Sequence, residues 1–505
     1  MLLPILLFAL PLLTIALKSH PATWLDEGYK LNAARTLAER GAYATYTVRG
    51  LEAFDPGIST GPTSILPVAL SFRLFGTGLL QGRIVMVGYA VLAMVALFAL
   101  ARRLYGDTAA ALITLGVIAA PDINGISFVS MARQVLGEIP ALALTLLGFC
   151  LWHESLRSKG RLSAIAAGVC FGLGILAKAP IAIGLVPALT MAAVARSWLS
   201  PAERGRAFVP VGVAFAIVAA WQTLERFGQP TDVGGGEYAA MLADGVRSNL
   251  LTFRFGLHLS RTSWVLVLLM AAAVVATLWR RRSVLQARSA TDAEWLELTL
   301  TCAVVCSSSW FVVFSTGWVR YTFVPLVLSL LLLGGATRDA YRAVRANWPD
   351  AARPLPAVAA IALVLIGVAA HGIPAWRAPA LDPAQTMADY ISQHVSRDAV
   401  VETWEWQLDV LNGHQQYSHP HQRYLFEAIR QQVAGAQPEI RDYDLLGADP
   451  DFLVRGPFSD WTRIYASIEP HFVLVTEFGL YRLYRRSTAE EYRRGRRGEE
   501  RGLGG

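Results

Sequence analysis

Directly after an apolar run at residues 2–18, the chain reads TWLDEGYK at residues 23–30. A membrane-spanning helix needs about 20 mostly apolar residues, and the run comes close to that length. No basic residues precede it and no clean cleavage site of small residues follows it, so the run is interpreted as a signal-anchor helix and not as a cleaved signal peptide. The adjacent acids Asp26 and Glu27 are therefore predicted to lie just outside the membrane.

The whole chain is apolar and poor in charge. Of its 505 residues, 54 % are hydrophobic and only 16 % are charged, whereas soluble proteins carry about 25 % charged residues. This deficit argues against a cytosolic or nucleic-acid-binding protein, although the formal net charge is +7, because Lys and Arg also orient membrane helices. We predict a mostly α-helical, polytopic membrane protein.

Apolar stretches recur along the first three quarters of the chain. Five strongly basic loops alternate with them and so fall on one side, which the positive-inside rule makes cytoplasmic. The N-terminus is then cytoplasmic, and the C-terminus lies outside an inner or plasma membrane, as do three long segments at about 19–81, 225–261 and 373 onward. The eleven predicted spans are 2–18, 82–101, 108–128, 138–153, 162–178, 179–198, 207–224, 262–279, 295–314, 321–337 and 355–372.

Composition changes near residue 373, where polar residues increase and apolar runs shorten. We predict a transmembrane module at 1–372, a small extracytoplasmic α/β domain at 373–486 and a disordered, charged, Gly-rich tail at 487–505. The α/β domain is predicted to hold a helix at 383–394 and strands near 398–403, 452–454, 472–476 and 480–484. Its cluster of Glu402 with His414, His419 and His421 lacks standard zinc spacing, which leaves packing or a sugar contact as its role.

The first outer segment continues with a Gly/Pro-rich stretch, FDPGISTGPT at 54–63, which requires an irregular backbone. Residues 64–75 then form an apolar segment too short to span, which predicts a helix in the membrane interface. Arg73 and Arg83 flank that helix at head-group depth, where either packs structurally or binds a lipid phosphate. Asp55, within the Gly/Pro stretch, is a candidate for either a structural or a chemical role.

The order of these elements resembles the GT-C class of membrane glycosyltransferases. The shared pattern is a span, an outward Asp-Glu pair, a Gly-Pro stretch, a short helix ending in Leu-Phe-Gly, and an Arg opening the next span. More narrowly, it resembles the phospholipid-carrier-dependent branch, which includes protein O-mannosyltransferases and an aminoarabinose transferase. Three further segments of residues 1 to about 340 fit this branch: RQVLGEIP at 133–140, GLGILAKAP at 172–180, with Ala179 where the family has Gly, and GWVRYTFVP at 317–325.

The resemblance implies an inverting enzyme that transfers a sugar from a polyprenyl-phosphate carrier to an acceptor hydroxyl outside the cytoplasm. Such a step needs a carboxylate for the acceptor proton and cations for the leaving phosphate. Asp26 is the implied general base, and Glu27 would orient acceptor or sugar. Because the two acids are adjacent, we expect each to raise the pKa of the other.

Isolated cations on the outer face are the candidates for the phosphate, because ionisable residues at the membrane boundary usually have a function. They are Lys178, Arg320 with Tyr321 as a second donor, and Arg133, and snorkelling to the head groups is the structural alternative for these cations. Glu138, which begins a span, contacts the sugar or serves as a helix N-terminal charge.

No cofactor is predicted. The four cysteines lie within apolar runs, the sequence has no Cys-x-x-Cys motif, and the first outer loop has no Asp-x-Asp motif. The alternative is a divalent ion held by Asp26, Asp55, Asp122 and Glu138. The predicted partners are a polyprenyl-phosphate-linked sugar donor, membrane lipids and an acceptor protein, lipid or glycan, without nucleic acid. A membrane transporter or flippase and a non-catalytic membrane scaffold are the rival functions.

Overall fold

The computed structural model describes most of the 505-residue chain. The described residues are 1–199, 204–228, 235–251, 253, 256, 259–287, 290–378, 382–413, 416–466 and 471–488.

A bundle of apolar helices makes up the larger part of the molecule. Each of the eleven predicted spans overlaps a helix, though several helices end earlier than predicted, and one continuous hydrophobic core runs through the bundle. The helices are α1 Leu2–Thr14, α2 Leu25–Arg40, α3 Pro62–Phe75, α4 Leu79–Tyr105, α5 Asp107–Ala119, α6 Phe128–Ala132, α7 Glu138–Ser158, α8 Arg161–Ala177, α9 Ile181–Leu199, α10 Arg204–Ala207, α11 Val209–Gly228, α12 Gly235–Asn249, α13 Arg261–Arg280, α14 Arg282–Ala287, α15 Asp292–Val313, α16 Phe323–Asn347, α17 Pro349–Ala352, α18 Leu355–Gly367 and α19 Ile373–Arg377.

Seven helical segments within the described residues are long and apolar enough to cross a membrane. Four further apolar helices among the described residues, α1, α3, α5 and α8, are shorter. The predicted span 108–128 in particular ends early at Ala119, because Pro121 follows and the residue before a proline is pushed out of helical geometry. The chain is thus a mostly helical, polytopic protein, as the composition predicted.

The first outer segment folds around α2 and α3. Helix α2 ends at Arg40 because Gly41 adopts a left-handed conformation with φ of 72°, which closes a helix at little steric cost. An antiparallel hairpin follows, formed by β1 Ala44–Thr47 and β2 Gly50–Ala53, and the sequence analysis missed it. Helix α3 begins with Pro62 in its first turn and ends at Phe75 before Gly76, close to the predicted helix at 64–75.

The C-terminal segment is a small α/β domain, as predicted. The predicted helix at 383–394 is present, and so are the four predicted strands, with shifted ends. The sheet has the order β4-β3-β5-β7-β6, in which β3 runs parallel to β4 and β5 and the other pairs are antiparallel. Its elements are α20 Pro383–His394, β3 Val401–Thr403, α21 Leu408–Asn412, β4 Tyr417–Ser418, α22 Arg423–Val433, β5 Phe452–Arg455, α23 Pro457–Thr462, β6 Phe472–Phe478 and β7 Tyr481–Arg486.

One hydrophobic core joins the C-terminal segment to the first outer segment. Leu25 and Tyr29 of α2 belong to the same buried cluster as Trp404, Trp406 and Tyr424. The predicted boundary at residue 372 therefore separates two parts of the chain that bury apolar surface against each other. This contact places the C-terminal segment close to the helix that carries Asp26.

Candidate active site

A cavity of about 470 Å³ lies between α2, the segment at 317–321 and the C-terminal domain. We call it the large cavity. Asp26 and Arg320 are its charged lining residues, and Trp24 and Trp318 stand beside them. The side of the C-terminal domain is apolar and consists of Leu425, Phe426, Ile429 and Phe458.

A second cavity of about 30 Å³ adjoins the first, and we call it the small cavity. Glu138 and Lys178 line it, together with apolar side chains such as Phe149 and Leu328. Arg320 and Tyr321 line both cavities. These two side chains therefore stand where a ligand group in one cavity meets a ligand group in the other.

Asp26 holds two cations at the edge of the large cavity. Its Oδ1 lies 2.9 Å from Nζ of Lys30, one helical turn later, and its Oδ2 is ion-paired with Nη1 of Arg320. Burial raises the pKa of Asp26, but the positive charges of Arg320, Lys30 and Lys178 outweigh it and hold the pKa below its ordinary value. The expectation that Glu27 would raise this pKa is wrong, because the surrounding cations dominate.

Lys178 and Glu138 form a second pair, with Nζ 2.8 Å from Oε1. Both side chains are buried, and neither makes a well-oriented hydrogen bond within the described part of the chain. Burial lowers the pKa of Lys178, the nearby cations lower it too, and Glu138 raises it, which leaves the pKa at about 8. Lys178 therefore carries its charge at neutral pH and has free hydrogen-bonding capacity.

The Gly/Pro-rich loop of the first outer segment fixes this lysine in place. Thr60 and Lys178 form an isolated antiparallel bridge, and the Ala179 N–H donates to the Ser59 carbonyl at 2.9 Å. A Cβ at Gly61 would clash with the Leu176 carbonyl, and one at Gly137 would clash with the Ala177 carbonyl. The glycines of these motifs are thus required because three backbone segments touch here.

Together these side chains form what we call the charged cluster: Asp26, Lys30, Glu138, Lys178 and Arg320. Three cations face two carboxylates, and all five side chains are buried or nearly so. A net positive charge in a buried place is costly unless an anion completes it. The cluster is therefore suited to binding an anionic group such as a phosphate.

Lys30 and the tryptophans were missed by the sequence analysis. Lys30 follows Asp26 by four residues, a spacing that puts both on one helix face, so the signal was present in TWLDEGYK. The guanidinium of Arg320 lies 4.8 Å from the ring centroid of Trp318 and 5.5 Å from that of Trp24, within the range of cation–π attraction. The rings help to fix the guanidinium beside Asp26.

Glu27 and Arg83 lie elsewhere, in a sealed ion pair. The Arg83 Nε and Nη2 donate to the two Glu27 oxygens at 2.9 and 2.6 Å, and both side chains are fully buried. Glu27 also accepts from the Val135 N–H, and Arg83 donates to the Leu17 carbonyl. Neither residue lines either cavity, so the predicted substrate contacts of this pair have no support in the geometry.

Arg133 and Asp55 also lie outside both cavities. The Arg133 guanidinium donates to the carbonyls of Leu12, Ile15 and His20, which tie the end of α1 to the loop before α7. Asp55 is buried and accepts from the Gly57 N–H at 2.7 Å. Burial raises the pKa of Asp55 to about 7.

The remaining candidates do not form a metal site within the part of the chain that the structure describes, where no group of three or more His, Cys, Asp or Glu side chains is close enough to hold an ion. Asp122 accepts from the Ser130 hydroxyl and from the N–H of Gly125, and Gly125 lines the large cavity. In the C-terminal cluster, Glu402 accepts from two tyrosine hydroxyls and His419 is buried. The predicted residue His414 and residues 489–505 of the predicted tail lie outside the described residues.

Comparison with known proteins gives the fold a class. Residues 60–222 match the family model described as dolichyl-phosphate-mannose-protein mannosyltransferase. The crystal structure of ArnT from Cupriavidus metallidurans bound to undecaprenyl phosphate resembles the whole chain, with a TM-score of 0.65 and 15 % identity over 96 % of this chain and 98 % of that one. The chain thus has the fold of the ArnT structure, and its residues 60–222 are similar to the mannosyltransferase family.

Two further solved structures share this fold. Its fold also resembles the apo crystal structure of the same ArnT, with a TM-score of 0.65 and 16 % identity over 95 % and 97 % of the two chains. A crystal structure of the Archaeoglobus fulgidus oligosaccharyltransferase in complex with Zn and sulfate resembles it at a TM-score of 0.51 and 12 % identity, over 96 % of this chain and 73 % of that one. No curated protein sequence matches the chain. The resemblance inferred from the motifs is confirmed at the level of the fold, and the chain is an integral membrane protein.

Proposed function

We propose that this protein is a GT-C class glycosyltransferase that transfers a sugar from a polyprenyl-phosphate carrier to an acceptor hydroxyl, with inversion at the anomeric carbon and with Asp26 as the general base. The observation that carries the proposal is the charged cluster, which has one more cation than it has carboxylates and presents Asp26 to the large cavity. The undecaprenyl phosphate bound to the similar ArnT structure supports a lipid carrier of this kind.

The proposed reaction is a single displacement. The acceptor oxygen attacks the anomeric carbon from the face opposite the phosphate, and its proton passes to a carboxylate oxygen of Asp26. The bond between the anomeric carbon and the phosphate oxygen breaks as the new glycosidic bond forms. The polyprenyl phosphate leaves with the bonding electron pair, and Arg320, Lys178 and Lys30 stabilise its added negative charge.

The two cavities suggest where each substrate binds. The phosphate of the carrier would lie at Lys178 and Arg320, where the small cavity meets the large one. The acceptor would enter the large cavity, between Asp26 and the apolar side formed by Phe426 and Phe458. Arg320 and Tyr321, which line both cavities, would then stand at the bond that breaks.

Donor binding would also prepare the base. Without a ligand, Arg320 and Lys30 hold the pKa of Asp26 low, which makes it a weak proton acceptor. A phosphate anion would compete for those cations and so raise the pKa of Asp26 toward its ordinary range. The carboxylate would gain basicity only when a donor is present.

Asp26 tests the proposal most directly. Asp26→Asn keeps the shape of the side chain and removes the proton acceptor, so transfer of a labelled sugar from a polyprenyl-phosphate donor by the purified protein in lipid nanodiscs should fall by about 10²–10⁴-fold. Glu39→Gln, at an exposed acid on the same helix, is the matched control and should retain transfer. Full activity of Asp26→Asn would refute the catalytic assignment, and a wild-type protein inactive with every such donor would favour the transporter or scaffold alternatives.

A metal is not part of the proposed mechanism, since cations from the chain already face the site where the phosphate would bind. Transfer should therefore persist after treatment with a chelator such as EDTA. Restoration of a chelated, inactive enzyme by added Mg²⁺ or Mn²⁺ would contradict this. The active site is proposed to face away from the cytoplasm, as the distribution of basic loops predicts.

A further inference from the structure

The helix that carries Asp26 touches the backbone of the C-terminal domain. Gly28, two residues after Asp26, packs so closely on Trp406 and Gln407 that a Cβ at this position would collide with the Gln407 backbone nitrogen. The Tyr29 ring meets Trp406 edge-on, with ring centroids 5.0 Å apart. A direct backbone contact of this kind leaves no room for α2 to shift toward the domain.

Polar contacts between the same two parts converge on Asp409 of α21, which is buried. The Asn32 side-chain amide donates to Asp409 Oδ2 at 2.5 Å. Arg35 donates to the Asp409 carbonyl at 2.6 Å, and its other terminal nitrogen lies 3.7 Å from Oδ2. Both partners belong to α2, so one carboxylate from the C-terminal domain holds two positions of the Asp26 helix.

The second oxygen of Asp409 faces His419. Nε2 of the imidazole lies 3.0 Å from Asp409 Oδ1, and Nδ1 lies 2.6 Å from the Thr403 carbonyl. The ring stacks on Trp406 with centroids 3.8 Å apart. The histidine that stood out in the sequence is thus enclosed by protein contacts, and it fixes the orientation of the Asp409 carboxylate.

We infer that Asp409 is a positioning residue for Asp26, an inference that rests on the proposed function. Asn32 and Arg35 follow Asp26 by six and nine residues, so they lie about 9 and 13 Å along the same rigid helix. Lys178 and Arg320, the other two cations of the charged cluster, are carried by elements other than α2. The contact with Asp409 therefore sets where Asp26 stands relative to the phosphate site, and a misplacement of 1 Å in such a site can cost about 100-fold in rate.

Kinetics of Asp409→Ala test this role. We expect kcat for sugar transfer to fall by roughly 10- to 100-fold, while the KM for the donor changes little because Lys178 and Arg320 keep their places. Asp409→Asn, which restores an oxygen acceptor for Asn32, should recover part of kcat. Met387→Ala is the matched control, since Met387 is fully buried in a separate core cluster of the same domain and a cavity there destabilises the domain without touching α2.

A second variant serves if Asp409→Ala does not fold. Gly28→Ala should displace the domain from α2 and lower kcat in the same way, whereas Gly88→Ala, at a helical glycine with open space around its Cβ position, should not. Hydrogen exchange of residues 25–40 provides a readout that needs no activity, and it should increase in Asp409→Ala and Gly28→Ala only.

The outcomes separate the two ideas. If Asp409→Ala lowers kcat no more than Met387→Ala at an equal loss of thermal stability, or if exchange of α2 is unchanged, the positioning role is overturned. If the wild-type protein transfers no sugar while α2 still loosens in Asp409→Ala, the proposed function fails and the contact between the domain and the helix stands.

Discussion

Asp26 and Glu27 are neighbours in the sequence, yet they belong to two different kinds of ion pair. Asp26 shares its cations with a cluster that lines two cavities, and that cluster carries an excess positive charge. Glu27 is matched to one arginine in a fully buried pair, where both its oxygens are already bonded. The first arrangement has capacity for a ligand, and the second is complete.

The difference follows from helix geometry. Successive residues of an α-helix point about 100° apart, so an acid pair on α2 sends one carboxylate to the cavity and the other into the helix bundle. The matched Glu27–Arg83 pair holds neighbouring helices together, whereas the charged cluster has an unmatched cation that can bind an anionic ligand. Substitution of Asp26 should therefore mainly lower the rate of transfer, whereas substitution of Glu27 should mainly lower the stability of the fold.

The largest effect is expected at the sealed pair. Glu27→Ala leaves the Arg83 charge buried without its partner, which should destabilise the protein by about 3–5 kcal/mol, seen as a lower thermal midpoint in detergent or nanodiscs. Replacing both residues, in Glu27→Met with Arg83→Met, should recover part of this loss because no unpaired charge remains. If Glu27→Ala is as stable as the wild type, the contrast with Asp26 is wrong.

Asp55 sharpens the comparison, because it is a buried carboxylate that has no cationic partner among the described residues. Its pKa of about 7 lies above the ordinary value of 3.8, so the folded protein keeps this proton between roughly pH 4 and 7 while the unfolded chain loses it. Stability should thus fall as the pH rises through that window. Asp55→Asn mimics the protonated form and should be more stable than wild type at pH 8, by up to about 4 kcal/mol, with little difference at pH 4.

Thermal midpoints at several pH values test the Asp55 prediction. Asp350→Asn, at a carboxylate that is 87 % exposed, is the control and should follow the wild-type curve. Parallel curves for Asp55→Asn and wild type would show that this carboxyl does not hold its proton.

Substitution of Arg320 tests what a cation of the charged cluster contributes. Arg320→Gln removes a donor proposed to stabilise the leaving phosphate, so kcat should fall by about 100-fold or more. The thermal midpoint should change less than in Glu27→Ala, since Arg320 lies at a cavity. Arg102→Gln, at an exposed arginine, is the control, and a stability loss without a loss of kcat would place Arg320 with the sealed pair.

The smallest effect concerns the pH dependence of donor affinity. Because the pKa of Lys178 is about 8, this side chain loses its charge as the pH rises. The Kd for the polyprenyl-phosphate donor should therefore increase by about tenfold from pH 7 to pH 9, as the protonated fraction of Lys178 falls. Lys178→Arg stays charged over this range and should flatten the curve. An equally steep curve in both proteins would show that Lys178 does not contact the phosphate.

The sequence predicted the helical architecture well, because an apolar run long enough to span a bilayer is a strong and local signal. It also brought out Asp26, Lys178, Glu138 and Arg320 through the order of their motifs, and the structure gathers all four in one cluster. It could not show that Glu27 lies outside the site, since a motif does not reveal which face of a helix meets a cavity. The hairpin at 44–53 and helix α22 escaped it because neither has a strong apolar run.

The C-terminal domain was the least predictable part of the site. Nothing local in the sequence links Asp409 or Phe426 to α2, because their positions depend on contacts between segments nearly 400 residues apart. Gly28 offered the one hint, as a glycine placed early in a helix that otherwise favours larger residues. Only the fold shows that it accommodates the backbone of Gln407.

The hydrogen bond between Asn32 and Asp409 joins residues 377 positions apart, and this distance has a consequence for biosynthesis. At a synthesis rate of about 5–20 residues per second, Asp409 follows Asn32 by roughly 20 to 75 s. Through that interval the Asp26 helix has already left the ribosome without the partner that encloses it. A product truncated before residue 409 thus lacks the contact that encloses the Asp26 helix, so the proposed site is completed only after the C-terminal domain has been made.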